Sequence, residues 1–376
     1  MDQMRAVICF PDGDASSGSE TRPLMLETVL FCPVLEWMGQ KLKAEGVRRF
    51  FVVCGPKFAE DARRCFAPED DVTVSDQIPA LREFLEGAGR AAVLPCAMLP
   101  LELEGGENPA CLTDAGTLRA GWHDSCGGAV PGGETLPGWT AVRDLACLQR
   151  VELRCRDRIV QAHAEAGVRF LDSSAVYIDP RVKIGRGTVV LPGTILRGKT
   201  VIGGDCEIGP NTMIRECTVG SGTTVNASQL NESTVGSRTN VGPFAYVRPN
   251  SHIGDDIKVG DFVEIKNSTI GSGTKISHLT YVGDSDVGEH VNFGCGTVTT
   301  NYDGFKKYRC TIGDRAFIGC NTNLIAPVKI GAGAYTAAGS TVTRDVPDDA
   351  LAIARERETV KEGWAARRRA LHEPKK

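Results

Sequence analysis

The sequence predicts a chain in two parts, an α/β domain over residues 1–140 and a parallel β-solenoid over residues 171–345. A linker helix over 141–170 joins them, and a basic tail over 346–376 follows. Three observations carry this reading. Through most of the second half an aliphatic residue returns every six positions. Glycine is concentrated in the same stretch, with 25 of the 43 glycines in residues 181–345. The first half instead alternates short apolar runs with an amphipathic segment, as strands and helices in turn require.

Within the first half, Arg5 to Phe10 reads as a strand, Val34 to Glu45 as an amphipathic helix and Arg49 to Cys54 as a second strand. A helix near Ile78–Glu86 and a strand at Ala91–Pro95 continue the alternation. Ala141 to Gly167 reads as a long linker helix with Val142, Leu145, Leu148, Val151 and Leu153 along it.

The solenoid rests on a longer series. It runs Ile184, Val190, Leu196, Ile202, Ile208, Ile214, then by steps of five or six through Val219, Val225 and Leu230 to Val235. The strict count resumes with Val241, Val247, Ile253, Val259 and Ile265, and later with Ile312, Ile318, Leu324, Ile330, Thr336 and Val342. A period of six fits neither a helix nor a hairpin meander; it fits a triangular coil of three hexads. Ile184 to Val342 has room for about nine such coils. Glycine often follows the aliphatic, as in Ile184-Gly185 and Ile318-Gly319, and is expected to ease the backbone at the corner.

Residues 18 apart with no slip between them should stack on neighbouring coils, about 4.8 Å apart. Arg248 and Lys266 meet that condition. Stacked cations repel unless an anion lies between or in front of them, and a phosphate is the natural guest. The spacing is equally met by two solvated surface cations. The count fails at 297–311, where a loop including Asn301-Tyr302-Asp303-Gly304 interrupts the coil. His278 lies about one coil before that loop and beside Tyr281, a candidate general base or an exposed structural histidine. His290 reads as a solvated turn residue.

The charge balance of 43 basic against 47 acidic residues argues against a nucleic-acid partner held by a global positive field. No apolar run approaches the ~20 residues of a transmembrane segment, and Met1 to Phe10 has no signal-peptide pattern. Fourteen cysteines without CxxC spacing read as reduced thiols of a cytoplasmic protein, with Cys54, Cys206 and Cys217 in the core.

Several segments together are similar to one family. These are Val247-Arg248-Pro249, Gly260-Asp261-Phe262-Val263-Glu264-Ile265-Lys266, His278-Leu279-Thr280-Tyr281, Asn301-Tyr302-Asp303-Gly304 and Lys361-Glu362-Gly363-Trp364. They resemble the acetyltransferase half of the bifunctional N-acetylglucosamine-1-phosphate uridylyltransferase/glucosamine-1-phosphate N-acetyltransferase family, over about residues 160–364. The resemblance implies a left-handed parallel β-helix, a homotrimer with active sites between subunits, and acetyl-CoA as co-substrate with no metal needed for acetyl transfer. It implies His278 as general base and Arg248, Lys266, Tyr281 and Asn292 around an amino-sugar phosphate. It further implies Cys295, Asn301, Tyr302, Cys320, Ala338 and Arg355 as acetyl-CoA-binding positions. Cys295 and Cys320 stand where the family commonly shows Ala and Ser. The basic tail suits the phosphates of CoA, whereas from Arg369 onward it reads as a solvated end.

The first half resembles the family's uridylyltransferase domain in element order but departs from it in chemistry. Its phosphate-loop position carries Asp12, Asp14 and Glu20, electrostatically wrong for nucleotide phosphates. The family's metal-binding Asp falls near Ala97, so Mg²⁺ would be required only if this domain were active. Residues 102–140, with Gly-Gly pairs at Gly105-Gly106, Gly127-Gly128 and Gly132-Gly133, read as a shortened sugar-binding subdomain or an ordinary loop-rich connection. The leading expectation is a glucosamine-1-phosphate N-acetyltransferase behind a degenerate nucleotidyltransferase-like domain. Alternatives are a working bifunctional enzyme, an acetyltransferase for another amino sugar, and a non-catalytic trimeric scaffold.

Overall fold

The computed structural model describes residues 4–10, 23–103, 105–122 and 133–372. The chain divides into two compact units, Met1–Val201 and Ile202–Lys376, with the division inside the solenoid. Asp12, Asp14 and Glu20 lie outside the described residues, as do Gly127, Gly128 and Gly132.

The first unit is built on a six-stranded sheet in the order Asp71–Val74, Arg49–Val53, Arg5–Cys9, Arg90–Leu94, Cys111–Asp114, Glu134–Thr135. The first four strands are parallel, Cys111–Asp114 is antiparallel to Arg90–Leu94, and Glu134–Thr135 is antiparallel to Cys111–Asp114. The central strand Arg5–Cys9 is nearly all apolar because both its faces are covered. Ala6 and Ile8 point to the cluster of Leu35, Met38 and Leu42 from the helix Val34–Ala44. Val7 points the other way, to Leu81 and Phe84 of the helix Ile78–Phe84. The elements expected from sequence are present within one or two residues.

The linker helix begins later than its sequence suggests. Thr140–Ala141 first pairs antiparallel with Met98–Leu99, so Ala141 is a strand residue. The helix then runs Leu145–Glu165, capped by the Asp144 side chain, which accepts from the Cys147 N–H at 2.6 Å. Gly167, at φ +95°, follows its C-cap. Leu148 and Val151 are buried from this helix, whereas Leu145 and Leu153 are exposed and Val142 is buried ahead of it. At the start of the solenoid, the Arg181 guanidinium holds the buried Asp179 carboxylate at 2.6 Å and Glu36 at 3.1 Å.

The second unit is a left-handed parallel β-helix, its three faces made of short parallel strands. One face includes Lys258–Asp261, Lys275–His278, Asn292–Phe293, Phe317–Ile318 and Tyr335–Thr336. The next includes Tyr246–Val247, Glu264–Lys266, Tyr281–Gly283, Val298–Thr300 and Asn323–Ile325. The third includes His252–Ile253, Thr269–Ile270, Ser285–Val287, Cys310–Ile312 and Val328–Ile330. The aliphatics of the six-residue series fill the interior: Val259, Ile265, Ile276, Val282, Ile318 and Leu324 are wholly buried. A second inward row of hydroxyls alternates with them; Thr239 Oγ1, for instance, donates to the Gly254 carbonyl on the next coil at 3.0 Å.

Most glycines that follow an aliphatic do a different job from the one expected, whereas Gly209 and Gly242, at φ +114° and +102°, do turn the backbone. Gly203 and Gly313, each following an aliphatic, have no left-handed backbone; a Cβ there would lie 2.6 and 2.5 Å from backbone nitrogens of the next coil. They permit close approach between coils. The turning is done a residue or two further on, by left-handed residues such as Phe244, Phe262, Leu279 and Asn321. Nor does the coil fail at 297. Val298–Thr300 is a regular strand in which the buried Thr299 replaces an aliphatic and donates to the Gly283 carbonyl at 3.1 Å. The excursion is confined to 301–309. Asp303 ties it by accepting the Phe305 and Lys306 N–H groups, and Arg309 closes it on Asp286 at 2.6 Å.

Candidate active site

One corner of the solenoid collects several of the expected residues. The registers Val259↔Ile276, Ile276↔Phe293, Phe293↔Ile318 and Ile318↔Thr336 are continuous. Two residues past each of these positions stand Asp261, His278, Cys295, Cys320 and Ala338. They form a single column along the axis, with a rise of about 4.8 Å per coil. The Asn321 N–H donates to the Cys295 carbonyl and the Gly339 N–H to the Cys320 carbonyl, both at 2.8 Å, so these main-chain groups already serve the coil. Arg355 Nε donates to the Ala338 carbonyl at 3.0 Å and joins the column's far end.

His278 is more than half exposed, and its Nδ1 lies 2.6 Å from Asp261 Oδ1. That hydrogen bond holds the Asp261 carboxyl below the usual carboxylate range. After His278 the chain turns through the left-handed Leu279 and enters the next face at Tyr281.

Arg248 and Lys266 stack on that next face as their spacing predicts, one residue past the pair Val247↔Ile265. Both cations meet anions that the chain itself supplies. Arg248 Nη1 donates to Glu264 Oε1 at 2.7 Å, and Lys266 Nζ lies 3.1 Å from Asp284 Oδ2. Asp284 is buried and also accepts from Asn267 Nδ2 at 2.5 Å and from Asn301 Nδ2. Burial pushes its carboxyl up, but these donors together hold it below its ordinary value. Lys266 pairs in register with Gly283, where a Cβ would run into the Tyr281 phenol; the missing side chain gives that ring its place. Asn301 Nδ2 lies 3.5 Å from the Tyr281 hydroxyl.

The structure thus gathers Arg248, Lys266, Tyr281 and Asn301 around two carboxylates, and His278, Cys295, Cys320, Ala338 and Arg355 along one corner. Asn292 lies on the His278 face, paired with Lys275 and Phe317. Tyr302 is exposed, and its hydroxyl donates within its own loop, to the Gly304 carbonyl at 2.6 Å. Sequence reasoning missed the carboxylates Asp261, Glu264 and Asp284. The signal existed: Asp261 precedes His278 by 17 residues and Asp284 follows Lys266 by 18, one coil each.

In the first unit, residues 95–101 offer no carboxylate. Ala97 is buried and its carbonyl accepts the Val142 N–H at 2.8 Å, so the residues there do not fit a Mg²⁺ ion.

A bacterial transferase hexapeptide model (six repeats) matches residues 309–344. The chain is 53% identical over 228 residues to the bifunctional protein GlmU of Clostridium perfringens, covering 61% of this chain and 50% of that one. It is 49% identical over 254 residues to GlmU of Brevibacillus brevis, covering 68% and 53%. Among solved structures, an Arabidopsis UDP-N-acetylglucosamine acyltransferase is 18% identical with a TM-score of 0.36, covering 50% of this chain and 65% of that one. The repeat and the three-faced coil define a hexapeptide-repeat transferase. More particularly, the chain is similar to the GlmU family, and it spans about half the length of the curated relatives it matches.

Proposed function

We propose that the chain transfers the acetyl group of acetyl-CoA to the amine of glucosamine 1-phosphate, in the supply of UDP-N-acetylglucosamine for cell-wall precursors. In this reading it works in the cytoplasm as a homotrimer with sites between subunits. The observation that carries the reading is an imidazole one turn of chain away from two partnered cations stacked on consecutive coils. The partners do not exhaust the cations. Arg248 spends Nη1 on Glu264, and a guanidinium has five N–H donors, so a face remains for phosphate oxygens.

The chemistry needs a free amine, because an ammonium has no lone pair to attack a thioester. In the proposed step the amine nitrogen bonds to the acyl carbon, its proton passes to His278, and the C–S electron pair leaves with the CoA sulfur, which is then protonated. A positioned base contributes roughly 10²–10⁴-fold. The acetyl donor lies along Cys295, Cys320 and Ala338 in this reading.

A second reading, uridylyl transfer by the first half, is favoured by the relatives' description as bifunctional. The buried Ala97 counts against it, and we propose that this activity is absent. The test is free CoA released from acetyl-CoA and glucosamine 1-phosphate, by the chain and by His278→Ala. No release by the unaltered chain would sink the reading. Pyrophosphate from UTP and N-acetylglucosamine 1-phosphate would establish the second activity.

A further inference from the structure

The Asp261–His278 hydrogen bond carries more than a local contact. Glu264 is engaged with Arg248 and Asp284 with Lys266, which leaves Asp261 as the site carboxylate directed at the imidazole. Its placement is built in by the backbone. The strand Lys258–Asp261 runs two residues past the inward Val259, and Asp261 pairs in register with His278. Gly260 makes this possible, since a Cβ there would collide with the Ser277 carbonyl oxygen.

We propose that Asp261 is the positioning residue of the acetyl-transfer site, holding His278 in the tautomer that carries its proton on Nδ1 and leaves Nε2 to receive the proton of the acceptor amine. This deepens the proposed acetyl transfer and rests on it. The argument is one of donors and acceptors. The bond to His278 holds the Asp261 carboxyl below its ordinary range, so at neutral pH it is ionised and can only accept. The hydrogen on the 2.6 Å bond therefore belongs to Nδ1, and the lone pair of the neutral ring resides on Nε2. Among the described residues Nε2 has no hydrogen-bond partner, so that lone pair remains available. When Nε2 takes the amine proton, the new imidazolium faces a carboxylate already in place. Asp261 stays ionised throughout and takes no proton.

The test uses the full chain and three readouts. Nitrogen-15 spectra of the labelled protein, with the His278 signals assigned by their loss in His278→Ala, should show a protonated Nδ1 and an unprotonated Nε2. In Asp261→Ala that preference should be lost, and Asp261→Asn, which keeps an acceptor oxygen, should restore it. In turnover, Asp261→Ala should lower kcat roughly 10–100-fold, a share of what a general base supplies. KM for both substrates should stay within about twofold, because the role proposed for Asp261 runs through His278. In the His278→Ala background, adding Asp261→Ala should cost nothing further.

A protonated Nε2 in the unaltered chain, an additive double variant, or a loss confined to KM would each overturn the proposal. A thermal melt of Asp261→Ala within a few degrees of the parent separates these outcomes from unfolding. If the unaltered chain transfers no acetyl group, the proposed function fails, while the spectra still judge the role of Asp261.

Discussion

Replacing Asp284 by Asn tests the polar network beneath the two stacked cations. The change keeps the shape of the side chain and tolerates the left-handed backbone at this position, φ +47°. It removes the charge and puts an NH₂ group where the carboxylate faces three donors, Lys266 Nζ, Asn267 Nδ2 and Asn301 Nδ2. One oxygen cannot serve all three, and the amide's own N–H groups must face at least one of them. Hydrogen bonds to a charged group contribute about 1.5–3 kcal/mol each. Lys266 keeps some solvent, with 17% of its side chain exposed against 5% for Asp284, so the ion pair lies below the fully buried limit. The expected loss is about 2–4 kcal/mol, or roughly 5–15 °C in the melting of the solenoid.

The assay is thermal unfolding by circular dichroism at several pH values. Asp284 has a lowered carboxyl pKa in the folded chain, so its contribution is complete above the unfolded value and fades as pH falls through the folded one. The gap between parent and Asp284→Asn should therefore be constant from pH 7 to pH 5 and close below roughly pH 4. A variant melting within about 1 °C of the parent at pH 7 would refute the reasoning. So would a gap that ignores pH.

Gly260→Ala should destabilise the solenoid by about 1–3 kcal/mol or more, because its Cβ must displace the Ser277 carbonyl; denaturant titration measures this. Asp144→Ala should cost about 1 kcal/mol through the lost helix cap, whereas Asp144→Gly should cost only a few tenths, compared by thermal melts. Arg181→Leu leaves the wholly buried Asp179 carboxylate without its main partner and should cost about 3–5 kcal/mol, read on the first unit's unfolding.

Much of the solenoid was legible because its constraint is one-dimensional. Each position of the six-residue series accepts little but an aliphatic, so the series from Ile184 to Val342 is nearly the fold itself. Arg248 and Lys266 could be stacked on paper because no five-residue side falls between them. Asp261 and His278 were harder to pair. The side from Ile265 to Ile270 has five residues, so their offset is 17 and a strict count of 18 misses it. Thr299 hid a regular strand, since a hydroxyl satisfied by the Gly283 carbonyl can take an aliphatic's place. The start of the linker helix was misjudged for a tertiary reason: Thr140–Ala141 is claimed by Met98–Leu99, a pairing that helical periodicity cannot report.

The corner column makes the solenoid a ruler. A residue moved along the sequence by one coil is moved along the axis by one rise, about 4.8 Å, and sideways hardly at all. Separations between groups on one edge therefore come in whole steps, and no side-chain adjustment yields half a step. A change of acceptor size is accommodated most simply by exchanging a residue for the one a coil above or below. His278, Cys295 and Cys320 occupy consecutive graduations, so moving the base one step would place it on a thiol's position. Substrate length, on such an edge, is counted in coils.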